Sequence, residues 1–311
     1  RNLTVEKKLS AVPSHNLLEL NFAGEELLAP QFLREARARR VACNGCPVGC
    51  LHLLRWEDKF VHYDYEGVVS LGPLLGLERV EEVSQLLERA WNLGFDPTSL
   101  GAVLAFLTEK ENLKFGNLET YLALTEALFA GKEDWAKELQ RGLPYSPKAL
   151  TIGGLEFLPY FNGYASLLSQ ILQLGATTEE NRGFWLDLDL LGGEVEPLDL
   201  VNRLVAAEEK KTLSQLLIGC GYLADVFEDS ATAFSALEAL GASLPHEHFE
   251  KVACETFRQK LAVQRRLGFR PLDVKIPEKF FKVPSPQGLL EKKKIAEMVK
   301  VYSERFYGSA N

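Results

Sequence analysis

Val80-Glu81-Glu82-Val83-Ser84-Gln85-Leu86-Leu87-Glu88-Arg89-Ala90-Trp91-Asn92-Leu93-Gly94-Phe95-Asp96-Pro97 is the stretch that decides the fold class. Val80, Val83, Leu86, Leu87, Ala90 and Trp91 recur at the three-and-four spacing of one helix face. Gly94 takes a left-handed backbone at little cost and predicts the helix end. Asp96-Pro97 then predicts a new start. The carboxylate caps the first turn, and proline occupies the first helical position, where its missing N–H has no partner to lose.

The same pattern extends outward. Helices are expected over residues 100–107, 121–129 and 135–139, with Gly131-Lys132 as a turn. Arg141-Gly142-Leu143-Pro144-Tyr145-Ser146-Pro147 predicts a domain boundary, giving domains 1–143 and 144–311. Further helices are expected over 164–174, 198–209, 212–227, 231–240, 245–267 and 289–306. Between the last two, Pro271, Pro277, Pro284 and Pro286 predict an irregular crossing loop. Alternating β-branched runs are scarce. The expected class is all-α, in two helical domains.

Cys43-Asn44-Gly45-Cys46-Pro47-Val48-Gly49-Cys50 gathers three of the five cysteines. A short loop of this kind wraps thiolates around one centre. Gly45 and Gly49 permit the turns, and Pro47 stiffens them. Soft thiolates select an iron–sulfur cluster or zinc. A local group of three with one distant cysteine fits a [4Fe–4S] cluster. Zinc with His52 as the fourth ligand, or three buried thiols, are the other readings. Spacing does not separate Cys220 from Cys254 as the distant ligand.

Composition excludes several classes. A net charge of −8 argues against a nucleic-acid surface. The basic runs at 34–40 and 292–294 read as solvated helix faces. No apolar run reaches the length of a membrane span. An odd cysteine count in a long chain argues against a disulfide framework, so a reducing cytoplasm is expected. The chain opens on Arg1 without the pattern of a signal peptide, and a natural start elsewhere is expected.

The ordered landmarks resemble the tungsten-containing aldehyde ferredoxin oxidoreductase family. They are Pro13-Ser14-His15-Asn16; the cysteine loop with Ala42; Tyr65-Glu66 followed by Leu71-Gly72-Pro73-Leu74-Leu75-Gly76; Asn92-Leu93-Gly94-Phe95-Asp96; Gly154-Leu155-Glu156; Cys220; and Arg266-Leu267-Gly268-Phe269 through Pro277-Glu278-Lys279-Phe280 to Tyr302 and Tyr307. The resemblance implies the second and third, helical domains of the family fold, with the N-terminal β-domain absent from this chain. It implies a [4Fe–4S] cluster on Cys43, Cys46, Cys50 and Cys220. It also implies a tungsten (or molybdenum) bis-pterin lined by Gly94, Phe95 and Asp96, with Glu66 as a catalytic carboxylate near the metal. An aldehyde would be oxidised to a carboxylic acid, and ferredoxin or a similar acceptor would take the electrons.

The sequence departs from the family pattern at several points. Trp91 stands where the first pterin motif begins with Asp. Gln215 and Ile218 stand where the second has Asp and Gly. Phe161-Asn162-Gly163 replaces an Asp-Pro-Arg stretch, and no His falls near Thr177-Thr178. Each singled-out residue also has a plain reading: Asp96 as a helix cap, Glu66 as a surface group, His246 and His248 as a solvated helix end. A degenerate member that keeps a cluster or zinc without catalysis is the alternative.

Overall fold

The computed structural model describes residues 6–20, 22–24, 26–27, 39–157, 159–174, 181–221, 230–242 and 245–308. Thr177-Thr178, most of the basic run at 34–40, and the end of the helix expected at 212–227 lie outside them. The chain divides into two compact units. Residues 1–162 and 275–290 form the first, and 163–274 and 291–311 the second. Residues 141–147 lie within the first unit.

The first unit carries α1 (Tyr65–Leu71), α2 (Val80–Leu93), α3 (Pro97–Lys110), α4 (Leu118–Ala130) and α5 (Asp134–Leu139). The quoted stretch behaves as its residues dictate. Gly94 takes φ 77°, with its N–H on the Trp91 carbonyl at 3.2 Å and the Phe95 N–H on the Ala90 carbonyl at 2.8 Å. Asp96 Oδ1 accepts the Ser99 N–H at 2.8 Å, and Pro97 opens α3. Helix α3 is apolar nearly all round and forms the centre of this unit. Leu100, Val103, Leu104, Phe106 and Leu107 are all buried, and burying each such side chain contributes about 1.5–3 kcal/mol. Gly101 lets α3 touch α1: a methyl there would lie 2.6 Å from the Ser70 side chain.

Among the described residues, two small sheets interrupt the helices. β1 (Arg39–Val41), β2 (Leu51–Trp56) and β3 (Lys59–Tyr63) form an antiparallel sheet in that order. Val41 pairs with Leu51, and Trp56 with Lys59. The sequence gives little sign of it. β1 is three residues long, and β2 reads LHLLRW, without clean alternation. β4 (Thr151–Ile152) and β5 (Leu155–Glu156) make a hairpin through Gly153-Gly154, both left-handed at φ 61° and 83°.

The proline-rich return segment, expected as an irregular crossing, is an anchored strap of the first unit. Its short 3-10 turn Glu278–Phe281 places Lys279 in a buried hub. Lys279 Nζ donates to Glu109 Oε2 at 2.8 Å, to the Asn16 carbonyl at 2.9 Å and to the Lys148 carbonyl at 3.2 Å. Asn16 Nδ2 donates to the same Glu109 oxygen at 2.6 Å and to the Lys148 carbonyl at 2.8 Å. Burial lowers the Lys279 ammonium from its usual range, and Glu109 opposes that shift. Beside it, Phe280 packs edge-on against Phe157 at 4.9 Å.

The second unit carries α6 (Tyr164–Ile171), α7 (Arg182–Asp189), α8 (Pro197–Leu216), α9 (Ser230–Ala239), α10 (His246–Arg266) and α11 (Lys292–Phe306). The two helices expected over 198–209 and from 212 are one continuous α8. Nothing at Lys210-Lys211 breaks a helix. Lys211 turns inward, pairs with Glu208 at 2.5 Å and donates to the Leu174 carbonyl at 3.0 Å. Helix α7 was not expected from the sequence. It is positioned by Asp187, whose two carboxylate oxygens accept the Ala165 and Ser166 N–H groups at 2.8 Å each, at the start of α6. Helix α11 buries Ile295, Met298, Val299 and Tyr302, a stripe of helical period. Among the described residues no helix is long and apolar enough to cross a membrane.

Candidate metal centre

The cysteine loop is the tip of the β1–β2 hairpin. Val41 and Leu51 are paired, so residues 42–50 must turn back between them. Two glycines in left-handed backbone make the reversals, Gly45 at φ 73° and Gly49 at φ 57°. The Cys46 N–H closes a turn onto the Cys43 carbonyl at 2.9 Å. Arg40, on β1, reaches across the base of the loop. Its Nη2 donates to the Val48 carbonyl at 2.5 Å and its Nε to the Gly49 carbonyl at 3.1 Å. Cys43 is exposed, while Cys46 and Cys50 are half-buried.

None of the five cysteines forms a disulfide. Three thiols on one glycine-turned, solvent-facing loop match the donor chemistry of an iron–sulfur cluster. Among the described residues, no group of three His, Cys, Asp or Glu side chains is placed to hold a metal ion. The two candidates for the distant ligand differ. Burial pushes the Cys254 thiol up, and Glu209 pushes it further. Cys220 is exposed and follows the end of α8 in the second unit. His52, the zinc alternative, stacks on Tyr63 at 5.5 Å. Burial and the Arg40 charge lower its pKa.

Asp96 serves as the N-cap of α3, and Phe95 meets Phe129 edge-on at 6.4 Å. Trp91, at the head of that motif, donates its indole N–H to the His62 carbonyl at 2.9 Å. The Asp96 carboxylate and the Trp91 indole each therefore have a role in the fold. Glu66 lies in the first turn of α1 and is half-buried. Its Oε1 accepts the Tyr160 hydroxyl at 3.1 Å, and the Tyr160 ring stacks on Tyr65 at 4.7 Å. The Tyr65 phenol is held well above its usual range by burial first, then by the nearby charges of Glu6 and Glu66. Asn162 Nδ2 donates to the buried Glu6 carboxylate at 3.1 Å. Sequence reading singled out neither Tyr160 nor Arg40. Tyr160 is far from Glu66 in the chain, and the role of Arg40 depends on hairpin register.

A family model described as aldehyde ferredoxin oxidoreductase, domains 2 & 3, matches residues 2–157. The chain belongs to the aldehyde ferredoxin oxidoreductase family. Comparison with curated proteins finds no match. The matched stretch holds the cysteine loop, Glu66 and Gly94–Asp96, and it ends before Cys220. It identifies the chain as part of an oxidoreductase of the aldehyde ferredoxin oxidoreductase type, with a helical fold.

The end of α8 at Ile218-Gly219 repeats the backbone geometry of the α2 end at Gly94-Phe95. The Ile218 N–H meets the Gln215 carbonyl at 3.0 Å and the Gly219 N–H meets the Ser214 carbonyl at 2.8 Å, repeating the cap at Gly94. Ile218 sits at φ 57° and is 94% exposed. A β-branched residue in left-handed backbone is strained. Ile218→Gly should therefore raise stability by about 1 kcal/mol, read as a shift of the urea midpoint. Unchanged or lower stability would show that Ile218 is not strained there.

Proposed function

We propose that this chain is the electron-relay part of an aldehyde ferredoxin oxidoreductase-like enzyme. Cys43, Cys46 and Cys50 hold a [4Fe–4S] cluster from one side, and Cys220 is the fourth ligand. The cluster, when bound, would supply one-electron transfer away from a tungsten (or molybdenum) pterin centre at which an aldehyde would be oxidised to a carboxylic acid. Ferredoxin or a similar carrier would receive the electrons. The observation that carries this reading is the hairpin-tip loop itself, with three cysteines on a glycine-turned reversal inside the family match. Glu66 is the carboxylate on this chain for the substrate side, held by Tyr160.

The full gene product, purified without oxygen, should be brown and carry about four irons per chain, as four thiolate ligands imply. Cys50→Ser and Cys220→Ser should each remove most of that iron. Loss with Cys254→Ser instead would move the fourth ligand to α10. A colourless wild-type protein with one zinc would overturn the cluster.

A second reading is a member that keeps the cluster without catalysis. The pterin-motif polar atoms favour it, since Asp96 caps α3 and Trp91 replaces an acceptor carboxylate. Iron without tungsten, molybdenum or pterin in the same preparation would establish it over the first.

A further inference from the structure

We propose that Arg40 is a positioning residue for the cluster loop, clamping the Cys50 end of the loop to the strand that leads into Cys43. The inference rests on the cluster reading above. Arg40 lies on β1, three residues before Cys43, and its guanidinium bonds the carbonyls of Val48 and Gly49, the two residues before Cys50. One side chain therefore ties both ends of the loop together. The bonds are two charge-assisted contacts from a rigid planar fork, at 2.5 Å and 3.1 Å.

The clamp acts on the second half of the loop. Gly49 is left-handed, and a glycine is free to swing unless its carbonyl is fixed. Within the loop, the turn from the Cys46 N–H to the Cys43 carbonyl braces the first half. Arg40 bonds the second half through the Val48 and Gly49 carbonyls, which limits how far the backbone leading into Cys50 can move. Groups that orient ligands in this way change metal retention about ten- to a hundredfold.

The same group places a fixed positive charge beside the loop. A cluster on thiolates gains negative charge when it takes up one electron, so a nearby cation favours the reduced form. A lysine keeps that charge but lacks the fork that bonds two carbonyls at once. The two roles of Arg40 therefore separate in Arg40→Lys and Arg40→Gln.

The test uses the anaerobically purified full chain, with chelator-driven iron loss and a redox titration of the cluster followed by its visible absorbance. Arg40→Lys should lose iron about tenfold faster than wild type with a nearly unchanged potential. Arg40→Gln should lose it at least as fast, and its potential should fall. Arg40 is solvent-exposed, so the thermal midpoint of the iron-free chain should stay the same in both variants. Iron-loaded wild type with iron retention and potential unchanged in both variants would overturn the clamp alone. Wild type that binds no iron would overturn the cluster reading on which it rests.

Discussion

Replacing Gly183 with alanine should destabilise the second unit by about 3 kcal/mol. Helix propensity alone argues the other way. Alanine inside a helix is favoured over glycine by about 1 kcal/mol, so the sign of the effect decides between the two. In the structure, α7 lies against the start of α6 at Gly183. A methyl there would run into the Ala165 carbonyl and come within 2.7 Å of the Ser166 nitrogen. Backbone atoms cannot rotate away, so the helices must separate and loosen their shared packing. One turn further along the same face, Asp187 accepts the Ala165 and Ser166 N–H groups. These are orphan donors of the first turn of α6, and Asp187 is fully buried. Asp187→Ala should therefore cost a similar amount, since it strands two buried donors at about 1–3 kcal/mol each. Thermal unfolding followed by circular dichroism measures both. A neutral or stabilising Gly183→Ala would mean that α6 and α7 do not approach as seen.

Lys279→Met should be the second large loss, about 3 kcal/mol. The ammonium is 8% exposed at its side chain and Glu109 is 19% exposed, so the pair is only partly wet. Removing the lysine leaves the Glu109 carboxylate with one cation fewer and removes a donor from the Asn16 and Lys148 carbonyls. Breaking one side of such a pair is costly, whereas neutralising both sides is much less so. The double variant Glu109→Gln/Lys279→Met should therefore be more stable than Lys279→Met alone. The glutamine keeps an acceptor for Asn16 Nδ2. A double variant that simply adds the two single losses would show that the hub is not coupled.

Local chemistry was legible in the sequence, and register was not. The α2 end at Gly94 and the α3 start at Asp96-Pro97 follow from residues within one turn of each other, and both appear where expected. The break expected near residue 210 does not form: one helix runs through it, and neither lysine disfavours a helix. What the local residues do not reveal is that Lys211 points inward, to Glu208 and the Leu174 carbonyl. The β1–β2–β3 sheet leaves little trace in the sequence because its strands are short and half-exposed, so the period-two signal is weak. The cysteine loop was readable from spacing. Arg40 was not, because its bonds follow from the pairing of Val41 with Leu51. Asp96 shows the opposite difficulty. Its capping role and the resemblance to a pterin motif fall on the same carboxylate, and the structure displays the first.

The strap through residues 275–290 has a consequence for how the protein is made. A growing chain emerges from its N-terminus, yet Asn16, Glu109, Phe157 and Phe161 complete their surroundings with Lys279 and Phe280. About 110 residues of the other unit are synthesised in between. At ~5–20 residues per second that is a delay on the order of ten seconds. Through that interval the first unit waits unfinished, with aromatic faces wet and a carboxylate without its ammonium. Order of synthesis and order of completion do not coincide: the half that begins first cannot be finished until most of the second has left the ribosome.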